Sequence, residues 1–345
     1  MRAPTATRAF VFGAMALAAL AAPPPPGKTD KGPSSAAVPP KAGIRTPGVQ
    51  IPIELLKAEV EMDVAAPGWI TTGESVIVPD SAKNRLVRID AKTNKQLDEI
   101  PSIAKPCSGT VFAFDSLWIP SCGSQSLTRF DYKAKKITAT IATGAADVTI
   151  GIATSPDSIW MLTDAKSTLS RIDPEQNKVV GEMRLPAGCN SVAFGEGSLW
   201  VACPAEMRIL RIDPATNLVD KRIEVSAGAR SIAFGDSSVW VLCGKEGKIE
   251  RIDPKTNKVV KTIELGVPGA GGNIAFADGW LWVTQTGFPL TRIDPKSEKE
   301  RVVQQFWGVG GGYLTVTTGA VWLSDVGPGK VKRFDPKRVI ATLAE

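Results

Sequence analysis

Hydrophobic and polar residues alternate along most of this chain in short runs. Residues 230–265 are typical. They read as four alternating segments, "RSIAFG", "VWVLC", "KIERID" and "VVKTIEL", separated by "DSS", "GKEG" and "PKTNK". Period-two alternation rich in Val, Ile and Trp predicts half-buried β-strands, and the intervening words are turn formers. No copy of this pattern carries a helical period.

The pattern recurs. Arg-Ile-Asp or Arg-Phe-Asp stands at Arg88, Arg129, Arg171, Arg211, Arg251, Arg292 and Arg333, at spacings of 41, 42, 40, 40, 41 and 41 residues. Ten or eleven residues before each Arg lies an apolar anchor: Ile77, Trp118, Trp160, Trp200, Trp240, Trp282 and Trp322. A four-stranded unit repeated every forty-odd residues is the signature of a propeller blade. The fold class expected is all-β, a seven-bladed β-propeller of four-stranded antiparallel blades over residues 49–345. Two terminal segments compete for the outer strand of the seventh blade: "RVIATLAE" at the end of the chain and "LKAEVEMDV" near its start. One is expected to close the ring and the other to lie alongside.

Seven copies argue that the Arg and Asp of the repeated word are scaffold, because a reactive residue is needed once. Two apart on a strand, they share a face, while the residue between them points into the packing between blades. The Arg and Asp are expected to pair within or between blades, with the Asp also closing its D-P-x-T turn. The repeated Trp is expected to pack blade against blade.

Function should then sit where one blade departs from its siblings. Nine residues before the anchor the chain carries Gly68, Gly109, Gly151, Ser191, Ser231, Asn273 and Tyr313. Ten before, it carries Pro67, Ser108, Ile150, Asn190, Arg230, Gly272 and Gly312, with Arg230 the one charge. Three after, it carries Asp80, Ser121, Thr163, Cys203, Cys243, Gln285 and Asp325. All belong to the face where inner strands start and second strands end, the mouth of the central channel. Arg230, Asn190, Asn273, Tyr313, Asp80 and Asp325 are therefore the candidate ligand-binding residues. Asp147 is a weaker candidate near them. A guanidinium and two carboxylates around a channel suit an anionic or polyol ligand, or a divalent cation. The alternative is a solvated rim with no ligand.

The chain contains no His. That removes the commonest general base and the nucleophile pairs that depend on it. No phosphate-binding loop is present, and the glycine run "GVGGG" has no helix after it. No catalytic residue and no cofactor is assigned. Five cysteines fit two bridges and one leftover thiol: Cys107 with Cys122, Cys189 with Cys203, and Cys243 free. The alternative is that all five stay reduced.

The N-terminus departs from the repeat. Arg2 and Arg8 precede an apolar run from Phe10 to Leu20 and an Ala19-Leu20-Ala21 cleavage pattern, which reads as a signal peptide over residues 1–21. Residues 22–48, rich in Pro, Gly, Ser and Lys, read as a disordered or polyproline-like linker. The expected location is periplasmic or extracellular. The formal charge of +6 is dispersed, without the basic patch of a nucleic-acid binder, and no later segment is apolar enough to span a bilayer.

The phrase "SIAFGDSSVWVLCGKEGKIERIDPKTNKVVKTIEL" resembles the YVTN-repeat propellers and the related streptogramin B (virginiamycin B) lyases, and the resemblance covers roughly residues 58–345. For the YVTN-type members it implies extracytoplasmic binding of a ligand or partner. For the lyases it implies ring opening of a cyclic depsipeptide by elimination, with a metal, a catalytic His and a Glu. The functional expectation is a monomeric, exported binding module for a small ligand or a protein partner at the channel mouth. The alternatives are a metal-dependent lyase or lactone hydrolase, and a broad protein-interaction platform.

Overall fold

The computed structural model describes residues 45–146, 151–164, 166–269, 271–296, 301–317, 319–325 and 327–343. The expected signal peptide, most of the linker and Asp147 lie outside them.

Seven sheets of up-and-down antiparallel strands form the ring. Blade 5 is representative: inner strand Ala229–Gly235, second strand Ser238–Cys243, third strand Lys248–Asp253, outer strand Lys258–Glu264. Gly235 pairs with Ser238, and the two residues between them, Asp236 and Ser237, have φ of 51° and 49°. This is the two-residue turn whose twist matches paired strands. Glu196-Gly197 in blade 4 and Asp278-Gly279 in blade 6 repeat it.

The repeated word is a clamp between blades. The Asp accepts amide hydrogens two and three residues on: Asp131 from Lys133 and Ala134, Asp173 from Glu175 and Gln176. The Arg takes other partners. Arg211 donates from Nε to Ser198 in its own hairpin at 2.9 Å. From Nη1 it donates to the Pro254 carbonyl and Asn257 of the next blade, both at 2.8 Å. Arg129 and Arg171 reach forward in the same way to Pro174 and Pro214. Each of these arginines also lies over the Trp of its own blade, 5.2 Å from the ring centroid for Arg211 on Trp200. The Asp thus closes its turn as expected, while in blades 2 to 4 the Arg engages the next blade's turn carbonyl and Arg88 and Arg292 bond instead to Asp98 and Gln304 of their own outer strands. The Trp indoles are fully buried against the following blade, Trp160 packing with Leu199, Val201 and Leu210. The N–H groups of Trp118, Trp160, Trp200, Trp240 and Trp282 are satisfied within their own hairpins, Trp200 and Trp240 donating to Gly195 and Gly235, while that of Trp322 is buried without a partner among the described residues.

The ring is closed by the N-terminal candidate. Val60–Asp63 pairs antiparallel with Lys330–Phe334 and forms the outer strand of blade 7. Lys330 binds Glu61 at 3.0 Å and Asp63 at 2.8 Å across this seam. The C-terminal segment is a helix instead, Pro336–Ala341, with Asp335 capping the Lys337 amide. The cause lies in the words after the last Arg-Phe-Asp. Blades 3, 4 and 5 follow D-P with Q-N or T-N, and there an Asn with a left-handed φ, such as 55° at Asn257, turns the chain into the outer strand. Blade 7 reads "DPKRVIATL", where an N-cap Asp and a Pro in the first turn start a helix. The helix buries Val339 against Ile51, Ile53 and Leu56. A further strand, Val49–Pro52, lies parallel on the outer strand of blade 6 and covers that edge.

Candidate functional site

At the mouth, the inner strands converge with a small irregularity that positions the side chains. In blade 5 Ala229 pairs with Cys243 and Ser231 with Leu242, leaving Arg230 bulged between them. A bulge re-aims its side chain out of the alternating pattern. Blade 1 has the equivalent bridge between Pro67 and Asp80. Its hairpin is one residue shorter, Thr71 pairing with Ile77 where blade 4 pairs Ala193 with Trp200. The blade 1 counterpart of Arg230 is therefore Gly68, and that of Ser231 and Tyr313 is Trp69. Counting from the anchor misplaces both by one residue. It hides Trp69, the second aromatic of the inner row. Trp69 and Tyr313, on neighbouring blades, stack with ring centroids 4.3 Å apart.

A cavity of about 300 Å³ opens on this face across blades 5 to 7. Arg230, Tyr313 and Asp325 line it together with Val309, Pro328 and the glycines of the two inter-blade connections. Those glycines make room for the arginine. The counterparts of Arg230 on blades 6 and 7 are Gly272 and Gly312, so no side chain stands between Arg230 and Tyr313. Two of the glycines are also obligatory. Gly272 and Gly311 have φ of 105° and 122°, and a Cβ on either would collide with a backbone carbonyl, of Thr284 and Gln285 respectively.

The electrostatics of the cavity are unbalanced. Asp325 is 2% exposed. It accepts the Gly311 amide at 3.2 Å and lies 3.7 Å from Lys332. Burial pushes its carboxyl above the usual aspartate value, with Lys332 and the Gly311 amide pulling the other way. Burial likewise raises the Tyr313 phenol, against the opposing charge of Arg230, so Tyr313 stays protonated at neutral pH. Among the described residues, no hydrogen bond or ion pair engages the half-buried Arg230 guanidinium, and no hydrogen bond engages the Tyr313 hydroxyl.

The other three candidates stand apart from this cavity. Asp80 is fully buried and accepts both Nε and Nη2 of Arg85 at 3.2 Å. Asn273 is 5% exposed and ties three inner strands together, donating to Ser231 and accepting the Leu314 amide. Asn190, the blade 4 counterpart of Arg230, is half-buried, and its Oδ1 has no hydrogen-bond partner.

Both expected disulfides are present, Cys107–Cys122 and Cys189–Cys203. Each joins the start of an inner strand to the end of the second strand or the turn just after it. Cys243 is free and buried, its thiol pushed up by desolvation and by Glu250. Glu250, on the third strand of blade 5, accepts the Ser226 amide and hydroxyl. It stands alone in a row that otherwise reads Val87, Thr128, Ser170, Leu210, Thr291 and Lys332.

Residues for a metal do not come together. The chain has no His, and among the described residues no three of Cys, Asp and Glu converge as a ligand set. The metal centre of a lyase therefore has no matching donors among them. Also among the described residues, no helix is long and apolar enough to cross a membrane.

No family model matches this chain, that of the YVTN repeat included, and no curated protein sequence matches it. The similarity is in the fold. A streptogramin B lyase superposes with a TM-score of 0.68 at 16% identity, covering 80% of this chain and 97% of that one. Virginiamycin B lyase from Staphylococcus aureus gives 0.67 at 18%, covering 80% and 98%. The WD40 domain of Pan2 from Neurospora crassa gives 0.64 at 10%, covering 80% and 95%. Streptogramin B lyase-like seven-bladed propellers are thus structural neighbours of this chain, and at these identities the likeness speaks for the fold alone.

Proposed function

We infer that this protein is an exported binding module that takes a small ligand at the mouth of its propeller, over blades 5 to 7. The observation that carries the reading is the Arg230 guanidinium, unengaged among the described residues, beside Tyr313 in a cavity walled by glycine backbone. A charge held half out of water without a partner is a cost to the fold, and a ligand that supplies the partner removes it. Most cavities of this kind that bind small molecules are largely preformed and fixed by a few polar groups. Two disulfides support an oxidising compartment outside the cytoplasm.

The test is a thermal-shift screen of the purified protein against divalent metals, sugar acids, lactones, cyclic peptides and simple organic anions. Arg230→Ala and Asp325→Ala run beside the wild type. A ligand at a hundred times its dissociation constant adds about 2.7 kcal/mol of stability. The expected result is a shift that Arg230→Ala abolishes and Asp325→Ala changes in size. A shift that survives both would move the site away from this mouth. Silence from every class would point instead to a protein partner.

A further inference from the structure

The same cavity specifies the chemistry of its ligand, provided that the mouth is the ligand site inferred above. Three features of the cavity matter together. Its positive charge is single and unanswered: Arg230 lines it without a hydrogen bond or ion pair among the described residues. Its negative charge is already answered: Asp325 is held by the Gly311 amide and Lys332. Its remaining side chains are apolar or aromatic: Val309, Pro328 and the ring of Tyr313, itself backed by Trp69.

We propose that the mouth binds a small monocarboxylate with a flat apolar body, its carboxylate taken by Arg230 and the Tyr313 hydroxyl.

The planar guanidinium fork matches a carboxylate with two parallel hydrogen bonds, and a neutral phenol adds a third donor. A second negative charge on the ligand finds no second cation in the cavity lining. It would also face Asp325, so phosphate and dicarboxylates are disfavoured by like-charge repulsion. The glycine walls contribute little apolar surface, so the ligand's body must rest on Tyr313, Val309 and Pro328. An aromatic ring stacks there favourably. The volume of about 300 Å³ lies at the small end of ligand cavities, suited to a single ring with one substituent.

Isothermal titration of the full protein with benzoate, benzamide, acetate, phthalate and inorganic phosphate tests the proposal. Benzoate should bind most tightly. Benzamide keeps the shape and lacks the charge, acetate keeps the charge and lacks the ring, and both should be weaker. Phthalate and phosphate should be weaker still. Arg230→Ala should weaken benzoate by about 10- to 100-fold, and Arg230→Lys should recover only part of that, because a point charge lacks the fork. Tyr313→Phe, which keeps the stack on Trp69, should weaken benzoate by roughly 5- to 10-fold. Melting temperature monitors folding of each variant.

Equal affinity for benzamide and benzoate overturns the carboxylate assignment. If that binding still responds to Tyr313→Phe, the mouth survives as a ligand site of another chemistry. Benzoate binding that ignores Arg230→Ala and Tyr313→Phe overturns the assignment and the site together. No binding by any of the five at millimolar concentration overturns the ligand class and leaves the wider thermal-shift screen to judge the mouth.

Discussion

Arginine does two different things in this protein, and its surroundings decide which. Arg211 is well engaged: a serine, a carbonyl and an asparagine accept from its Nε and Nη1, and Trp200 lies under its plane. Among the described residues Arg230 has none of these. Removing a charged donor from three satisfied hydrogen bonds costs roughly 1.5–3 kcal/mol. Arg211→Ala should therefore lower the melting temperature by several degrees in a calorimetric scan. Asp325 makes a prediction of opposite character. Its folded-state pKa is raised above the ordinary 3.8, so the native state holds a proton that the unfolded chain releases. Stability then falls as pH climbs from about 4 through that raised value. Denaturation midpoints followed over this range should show the decline in wild type and a flatter profile in Asp325→Asn. An unchanged slope in the variant would assign the decline to other groups. At this scale the sequence is informative where repetition isolates a departure, as it does for Arg230 and Tyr313. It misleads where a hairpin loses one residue, which moves Trp69 out of its row. It is also silent on Asp80, because nothing in a linear count tells a carboxylate open to the channel from one buried against Arg85.

At the scale of elements, the strands are legible because each level of signal agrees. Alternation, β-branched and aromatic residues and turn words all give the same boundaries, and the repeat averages out local ambiguity. The C-terminal segment misleads by analogy with its siblings, although "DPKRVIATL" lacks the Asn that turns the chain in blades 1, 3, 4 and 5. Its Ala and Leu favour helix once an N-cap is in place. The parallel strand Val49–Pro52 has no precedent in the repeat and could not be counted into existence. The disulfides are legible because two cysteines fall at facing positions of a hairpin that the repeat defines. Each closes a loop of about 15 residues, so the double change Cys189→Ser with Cys203→Ser should cost about 3 kcal/mol in the chain-entropy model. Guanidinium denaturation would read that loss as a lower midpoint.

For the whole molecule, the decisive contact is the seam at blade 7, where residues distant in sequence complete one sheet. The segment from Val49 to Asp63 seals an edge of blade 6, buries Ile53 and Leu56, and supplies the last strand. Burial of a few aliphatic side chains of this kind is worth about 1.5–3 kcal/mol each. A chain beginning at Arg45 should melt like the intact protein. One beginning at Val64 should melt on the order of 10 °C lower, and a peptide of residues 45–63 added in trans should restore part of the loss. Equal melting of the two truncated chains would mean that the ring does not depend on this seam.

Repeated residues hold this propeller together, and the proposed ligand site rests on the unique ones at its mouth. Melting temperature and benzoate affinity, measured on the same two variants, Arg211→Ala and Arg230→Ala, decide whether that division of labour holds. The expected result is crossed: Arg211→Ala loses stability and keeps affinity, while Arg230→Ala keeps stability and loses affinity by about 10- to 100-fold. Loss of stability without loss of affinity in Arg230→Ala would make that arginine part of the scaffold and contradict the assignment of the mouth.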